Sequence, residues 1–247
     1  MISIEELNEV KTRKKTNLYY EEKEYLQYIF LNALSRFADK FTFKGGTCLR
    51  ICYNFERASE DLDFSTKLSL KEVKDLVNVC LKDFDLLGIA HKIYPEKEFK
   101  GNLRIEARFE GPLFNGNPSS TNTLKIDFNK RKVKSAVAKV VPQIFSDVPV
   151  FTVVALDEKE ILAEKIRTLI NGSQSRDLYD IWVLLNKGTQ LDKNLLKAKL
   201  IEENSKLNNL KIPSKQSYER DLKELLYYLP PYEQVKAYVA KKLKLNL

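Results

Sequence analysis

Histidine is nearly absent from this sequence of 247 residues, which removes several kinds of catalytic and metal site. The single histidine, His91, would have to serve in any Ser-His-Asp triad, and one histidine excludes a metal site that needs several. His91 lies in the strand-like segment GIAHKIYP, with no serine or cysteine motif nearby, so we interpret it as structural. The chemistry left to the chain relies on carboxylates, lysine, arginine, hydroxyl groups and the backbone.

Cysteine and long apolar runs are scarce as well. The three cysteines form neither a disulfide framework nor a CxxC pair for zinc, and Cys48 and Cys52 are spaced to share one helix face, which we expect to be buried. No apolar run approaches the ~18 residues of a membrane span, and the N-terminus MISIEELNEVKTRKK lacks the apolar core of a signal peptide. We therefore expect a soluble, cytoplasmic protein that does not interact with membranes.

Charge is distributed unevenly along a chain whose composition, 43% hydrophobic and 31% charged, is typical of a globular protein. The net charge is +8, and two basic zones carry the excess. Residues 97–139 contain 10 basic and 4 acidic residues, and residues 187–247 contain 13 basic and 7 acidic residues. Such asymmetry suits a surface that binds a polyanion such as nucleic acid, although a lysine-rich composition alone also produces it.

Hydrophobic periodicity predicts an α/β half followed by a helical half. Strands are expected at the segments FTFKG, SEDLDFS, IAHKIYP, NLRIEARFEG and TLKIDFN. Helices are expected at residues 4–15, 19–38, 47–55, 69–87, 157–170, 176–187, 191–204, 215–229 and 231–244. Prolines 142 and 149 favour extended chain between the halves, so we place one domain at residues 1–155 and a second at 156–247.

The strongest local signal begins at Lys44 and reads K-G-G-T-C-L-R-I-C-Y-N-F-E-R-A-S-E-D-L-D-F-S. Gly45 and Gly46 separate a predicted strand from a predicted helix, so backbone N–H groups at this turn could meet a phosphate without interference from a Cβ atom. Thr47 adds a hydroxyl group at the same helix start. The turn alone is also compatible with an ordinary helix start.

The second part of this signal is a pair of aspartates two residues apart. Asp61 and Asp63 lie on a strand, which directs both carboxylates to one face, where they could share metal ions. Two like charges so close are costly without a cation. The alternative is a strand with a solvated outer face, but a phosphate turn, a helix and an Asp-x-Asp strand in this order favour a functional site.

These elements resemble the DNA polymerase β-type nucleotidyltransferase superfamily. The fuller pattern GGTxL…RxSxDLDF is similar to the AbiEii/AbiGii toxin family, whose relatives include the mycobacterial MenT toxins. The superfamily fold has a third carboxylate on a neighbouring strand, and TLKIDF supplies Asp127 for it, with Lys125 on the same face. The resemblance implies an α+β fold in which a small mixed sheet is flanked by helices and followed by a helical C-terminal half.

A later segment, LAEKIRTLINGSQSRDLYDIWVLL, resembles the family's second motif, a lysine on one helix and Arg-Asp-x-x-Asp opening the next. The match implies catalytic roles for Lys165 and Asp180 and nucleotide contacts for Arg176 and Asp177. Negative charge is favoured near a helix N-terminus, so Asp177 as a dipole partner with Arg176 as its ion-pair donor is the alternative. We expect Lys165 at the rim of the site, where its removal would not affect thermal stability.

The resemblance further implies transfer of NMP from an NTP to an RNA, the 3′ end of tRNA in studied relatives, by the toxin of a toxin–antitoxin system. Asp61, Asp63 and Asp127 would hold Mg²⁺, Asp127 could help to deprotonate the attacking hydroxyl, and the glycine turn would hold the triphosphate. Two alternatives stay open. One is transfer to a small molecule or a protein hydroxyl, and the other is a non-catalytic module that binds nucleotide or RNA, which three clustered aspartates argue against.

Overall fold

The chain divides into two units, Met1–Leu156 and Asp157–Leu247, in a computed structural model that describes residues 1–99, 101–172, 174–206 and 210–244. The first unit combines helices with one mixed sheet, and the described part of the second unit is helical. The predicted α+β class is therefore confirmed.

The first unit contains four α-helices, two short 3-10 turns and eight strands among its described residues. The helices are α1 (Ile4–Lys14), α2 (Leu18–Ser35), α3 (Gly45–Tyr53) and α4 (Leu70–Leu86), and the 3-10 turns are Ala38–Lys40 and Pro118–Ser120. The strands are β1 (Phe41–Lys44), β2 (Asp61–Thr66), β3 (His91–Ile93), β4 (Lys97–Phe99), β5 (Asn102–Phe109), β6 (Asn122–Asn129), β7 (Ala136–Val141) and β8 (Phe151–Leu156).

The sheet has the order β3-β5-β6-β2-β1-β8-β7, with β4 paired to β5 at one end. It is mixed, as expected, because β2 pairs in parallel with β6 and β1 in parallel with β8, while β1 and β2 are antiparallel. With eight described strands it is larger than the small sheet that the resemblance implies. The three strands that the sequence did not predict are β4, β7 and β8, and the last two lie on either side of the segment that contains Pro142 and Pro149.

Alternation along the central strands gives the sheet one apolar and one polar face. Phe64 of β2 stacks on Phe43 of β1 and on Phe128 of β6, with ring centroids 5.3 and 5.4 Å apart, and all three rings are buried. The residues that alternate with these phenylalanines along each strand point to the opposite face of the sheet. That polar face carries Asp61 and Asp63.

Helix α2 is buried over most of its length, including several charged residues. Glu24, which is buried, accepts hydrogen bonds from Arg50 Nε of α3 and Lys14 Nζ of α1, each at 2.5 Å. Burial acts to raise the pKa of Glu24, but the charges of Arg50 and Lys14 outweigh it and hold the pKa below its ordinary value. This Glu24 network ties the first three helices together, so Arg50 has a structural role.

Local signals set the ends of α4 as the sequence predicts. Ser69 and Glu72 form a capping box at its start, and Gly88, just past its end, has a φ of +70° that favours glycine. Next to this helix, His91 starts β3, with its Nδ1 atom 3.3 Å from Asp85.

The second unit contains α5 (Glu158–Gly172), α6 (Ser175–Asn186), α7 (Lys193–Ile201), α8 (Lys215–Leu222) and α9 (Tyr232–Leu243). Each corresponds to a helix predicted from the hydrophobic pattern. The interruption between α5 and α6 is shorter than NGSQS, since α5 continues through Gly172 and α6 begins at Ser175. Within the described ranges, no helix is both long and apolar enough to cross a membrane.

Candidate active site

The turn between β1 and α3 approaches the aspartates of β2 closely. Gly45 has a φ of +80°, and a Cβ atom there would lie 2.3 Å from Asp63 Oδ2. A Cβ atom on Gly46 would lie 2.5 Å from Arg57 Nη2. Gly45 therefore needs glycine for its backbone conformation and its close approach to Asp63, whereas at Gly46 a Cβ atom would displace the ends of the Arg57 and Ser59 side chains.

Thr47 serves this turn differently from the sequence expectation. Its buried hydroxyl donates to the Asp61 carbonyl at 2.5 Å and contacts Ser59 Oγ at 3.0 Å. The assignment of Thr47 to the nucleotide stays a prediction, and in this structure its hydroxyl is engaged within the protein. Thr47 fixes the start of α3 against the residue that opens β2.

The predicted carboxylates come together through the pairing of β2 with β6. In this parallel ladder Asp63 is the register partner of Asp127, and Asp61 is the register partner of Lys125. Register partners point to the same side of a sheet, so all four side chains share the polar face. The structure therefore brings together the residues that the Asp-x-Asp and TLKIDF segments singled out, and their catalytic and binding roles stay predictions.

The electrostatics of this face are unfavourable for anions packed side by side. Burial raises the pKa of Asp61, and the neighbouring charge of Asp127 adds to the rise, whereas Lys125 and Arg104 oppose it. The protein thus keeps a partly desolvated carboxylate beside another one. A ligand that brings positive charge would relieve this cost.

Arg104 is a site residue that the sequence reasoning missed. It lies on β5 as the register partner of Asp127, and its Nε and Nη2 atoms each donate to one oxygen of Asp127 at 2.8 Å. This two-point ion pair raises the pKa of Arg104, mainly through the hydrogen bonds. The alternation of NLRIEARF places Arg104 on the polar side of its strand, but only the β5–β6 register shows its partner.

Arg57 is a second basic group at the turn. Its side chain is buried, Nη1 donates to the Ala58 carbonyl at 2.8 Å, and Nη2 lies over the backbone of Gly46. The motif RxSxDLDF contains this arginine, and its position next to the start of α3 adds positive charge where an anion would bind.

Asp61, Asp63 and Asp127 suit magnesium by their chemistry, since Mg²⁺ prefers hard oxygen ligands such as carboxylates. Across the part of the chain that the structure describes, however, no three His, Cys, Asp or Glu side chains are arranged to hold a metal ion. Both oxygens of Asp127 are engaged by Arg104. The three carboxylates thus fit magnesium by their chemistry but not by their present arrangement, and Asp127 would join a metal site only after its ion pair with Arg104 opens.

The second unit contains a separate charged cluster made by the residues of the later motif. Lys165 Nζ of α5 lies 2.8 Å from Asp177 Oδ1 and 2.8 Å from Asp180 Oδ2 of α6. The side chain of Asp180 has no exposed surface, and that of Lys165 is 12% exposed. Lys165 therefore lies mostly enclosed in an ion-pair cluster, where a rim position was expected. Asp177 takes Lys165 as an ion-pair partner, while Arg176 is half-buried on the same helix.

Residues 29–241 match the family described as "Nucleotidyl transferase AbiEii toxin, Type IV TA system". The chain belongs to this family. This AbiEii protein is therefore a nucleotidyltransferase, and its type IV toxin–antitoxin family implies a nucleotide substrate and an antitoxin partner. The match includes the turn, the three aspartates and the later motif.

Solved structures agree on the fold of this AbiEii protein. MenT4, a nucleotidyltransferase toxin from Mycobacterium tuberculosis, is similar with a TM-score of 0.68 and 18% identity over 96% of this chain and 88% of its own. JHP933 from Helicobacter pylori is similar with a TM-score of 0.64 and 19% identity over 93% and 92% of the two chains. At such low identities the likeness shows the fold alone. Among curated proteins there is no match.

The predicted family, the α+β nucleotidyltransferase fold and the enzyme class are thus confirmed for this AbiEii protein. The metal, the nucleotide and the acceptor require separate argument.

Proposed function

We propose that this AbiEii protein transfers an NMP group from an NTP to the 3′-terminal hydroxyl of an RNA, with tRNA as the acceptor, in the presence of Mg²⁺. The observation that carries the proposal is the shared polar face of β2 and β6. There Asp63 and Asp127 are register partners, Asp61 lies two residues earlier, and Gly45 touches Asp63. The proposal includes a cognate antitoxin that restrains this activity, as the family implies.

The start of α3 is the proposed phosphate site. Backbone N–H groups at a helix N-terminus attract anions, and α3 begins at Gly45. Gly45 and Gly46 allow a triphosphate to approach the backbone, and Arg57 adds positive charge beside Gly46. We assign Lys125, opposite Asp61, to the same nucleotide.

Magnesium held by Asp61, Asp63 and Asp127 would neutralise charge on the phosphates and on the oxygens that enter and leave. The transfer itself is an in-line displacement. A bond forms between the acceptor oxygen and the α-phosphorus, and the bond from the α-phosphorus to the oxygen that bridges to the β-phosphate breaks. Pyrophosphate leaves with the electron pair, and the acceptor's proton passes to a carboxylate of the site. No histidine is needed.

An RNA acceptor is favoured by the charge around the carboxylates. The basic zone at residues 97–139 includes β5 and β6, which carry Arg104, Arg108 and Lys125 on the polar face. Binding through phosphates weakens steeply as salt rises, because counterions are released. Transfer to a small molecule or a protein hydroxyl would instead show weak salt dependence and no labelled RNA.

We propose that the residues of the later motif serve the same reaction, because they match the family's pattern; they are Lys165, Arg176, Asp177 and Asp180. Their ion pairs make a structural role an equally concrete interpretation. Lys165→Arg separates the two, since it keeps a cation at the cluster. If Lys165 contacts the nucleotide, this variant should raise the KM for NTP while its unfolding temperature stays near that of the wild type.

The central experiment incubates the protein with each labelled NTP, Mg²⁺ and total RNA, and then resolves the RNA on a denaturing gel. Wild-type protein should label an RNA of tRNA size, and Asp63→Ala should abolish labelling while circular dichroism shows an intact fold. Asp75→Ala is the matched control, since Asp75 is exposed on α4. Full activity of Asp63→Ala would show that the aspartate pair is structural and would overturn the proposal.

A further inference from the structure

A pocket of about 260 Å³ adjoins the carboxylate face. Its walls come from α2, from the residue after β3 and from the polar sides of β5 and β6. Asp61 and Lys125 belong to this pocket as well as to the candidate active site, so whatever occupies it lies next to the reacting groups. We call it the Tyr19–Tyr94 pocket, after the two aromatic side chains in its wall.

The aromatic groups of this pocket come with cations. The guanidinium carbon of Arg108 lies 4.8 Å from the ring centroid of Tyr94, and Lys23 Nζ lies 5.1 Å from that of Tyr19. Aromatic rings and arginine planes are the surfaces on which proteins stack the bases of single-stranded RNA. Tyr19 is 47% exposed, so its ring is accessible to a ligand.

The remaining wall of the pocket carries carboxylates, which select against a triphosphate. Glu60, Asp61 and Glu106 line it together with Lys23, Arg108 and Lys125. The three anions balance the three cations, so the pocket has no net positive charge to hold a polyphosphate tail, while its carboxylates can accept hydrogen bonds from ribose hydroxyls or base amino groups. The balance of charge therefore suits the nucleoside part of a nucleotide.

The position of the pocket relative to the glycine turn decides which nucleotide it fits. Gly45 lies against the side chain of Asp63, and Thr47 meets Asp61 at its main-chain carbonyl, whereas the pocket includes Asp61, which opens β2, and omits Asp63. In an in-line displacement the attacking and leaving oxygens lie on opposite sides of the phosphorus. With pyrophosphate at the turn, the attacking hydroxyl comes from the side of Asp61.

We propose that the Tyr19–Tyr94 pocket holds the 3′-terminal nucleoside of the acceptor RNA and places its ribose hydroxyl beside Asp61. This proposal rests on the transfer reaction proposed above. It assigns Tyr94 and Arg108 to acceptor recognition and leaves the triphosphate to the start of α3. A 3′-phosphate would bring negative charge next to the Asp61 carboxylate, where the proposal places the ribose hydroxyl, so the pocket also selects for a free 3′-hydroxyl end.

Two measurements test it, one of which needs no catalysis. The first is fluorescence anisotropy of a 5′-labelled single-stranded RNA at low salt, with a free 3′-hydroxyl or with a 3′-phosphate. The wild type should prefer the hydroxyl end, and Tyr94→Ala should weaken binding of that RNA about tenfold, the effect of one lost stacking contact. Tyr94→Phe should bind like the wild type. Arg108→Gln, at an exposed position, should weaken binding too and covers the case in which Tyr94→Ala does not fold.

The second measurement is steady-state transfer with RNA and NTP varied separately. Tyr94→Ala should raise the KM for RNA about tenfold and leave the KM for NTP unchanged, and the control Tyr228→Ala, at a site 66% exposed in the second unit, should change neither. A rise in the KM for NTP alone would assign the pocket to the base of the NTP, and unchanged kinetics and binding would show that it is unused. RNA binding that depends on Tyr94 without any transfer would retain the pocket and refute the proposed reaction.

Discussion

Replacing Lys165 by methionine tests whether the later motif holds the helical unit together. Lys165 is the cation between Asp177 and Asp180, at 2.8 Å from each. Methionine has a similar length and favours helices, so the substitution removes the charge while changing propensity and volume little. What remains is a carboxylate with no exposed surface, Asp180, that has lost this ammonium group.

The expected cost is large because of that burial. Removing one partner of a buried ion pair typically costs about 3–5 kcal/mol, since the other charge is left in a low-dielectric environment. Asp177 is almost as buried, which adds to the cost. For a unit of this size, a loss of about 3 kcal/mol lowers the unfolding temperature by more than ~10 °C.

Trp182 provides the assay, because it is the only tryptophan of the chain and lies on α6 two residues after Asp180. Urea unfolding followed by its fluorescence should show a lower midpoint for Lys165→Met. Lys159→Met is the matched control, since Lys159 is exposed on the same helix, and it should unfold like the wild type. Combining Lys165→Met with Asp177→Asn and Asp180→Asn should recover much of the loss, because no buried charge remains.

If the free energy of unfolding of Lys165→Met lay within about 0.5 kcal/mol of the wild-type value, this reasoning would be refuted, since that is the range of ordinary surface substitutions. A loss that the two asparagines do not recover would also contradict it, because the damage would then come from packing. In either case the ion pairs of Lys165 with Asp177 and Asp180 would not stabilise the helical unit as their distances indicate.

Three other contacts give sharper local tests. Gly45→Ala should destabilise the protein by at least about 1–2 kcal/mol in urea unfolding. Gly88→Ala is the control and should cost less, because Gly88 has a similar positive φ but nothing within 4 Å of its Cβ position; equal losses would disprove the close approach at Gly45. Because the pKa of Glu24 is lower in the folded than in the unfolded state, its ionised form stabilises the fold above the unfolded pKa of ~4.3, and this stabilisation is lost as the pH falls through the folded pKa. Glu24→Gln should therefore lower the melting temperature at pH 7, and the difference in melting temperature between variant and wild type should become smaller in acid. Without metal, Arg104→Met should cost less than about 1 kcal/mol of folding stability, since the Arg104–Asp127 pair is partly exposed. Mg²⁺ should raise the melting temperature of this variant more than that of the wild type, because Arg104 no longer competes with the metal for Asp127; an equal rise in both would count against that competition.

Local patterns predicted much of the carboxylate site because its chemistry depends on local spacing. Two residues on a strand share a face, so Asp61 and Asp63 were placed correctly from their spacing alone. Two glycines between a strand and a helix mark a turn of close approach, and the structure shows Asp63 in contact with it. Asp127 required more, since only the family resemblance connected its strand to that of the aspartate pair.

Features that depend on tertiary register were not predictable in the same way. Arg104 is one of many basic residues in the zone 97–139, and only the pairing of β5 with β6 shows that it binds Asp127. Strand β7 ends next to Pro142, and β8 begins two residues after Pro149. Prolines occur next to strands, but from the sequence alone they favour a connection. The burial of Lys165 depends on the packing of α5 against α6, so a lysine beside an apolar stripe resembled a rim residue.

The two faces of the central strands show how the fold tolerates its carboxylate site. On the polar face, Asp61 is desolvated next to Asp127, an arrangement that acts against folding and that Arg104 and Lys125 only partly offset. On the opposite face, the same strands bury large aromatic side chains such as Phe64, whose burial contributes about 2–3 kcal/mol each. Because alternation places both kinds of residue on one strand, the apolar side stabilises the backbone that holds the charges. A sheet built in this way can keep anions close together.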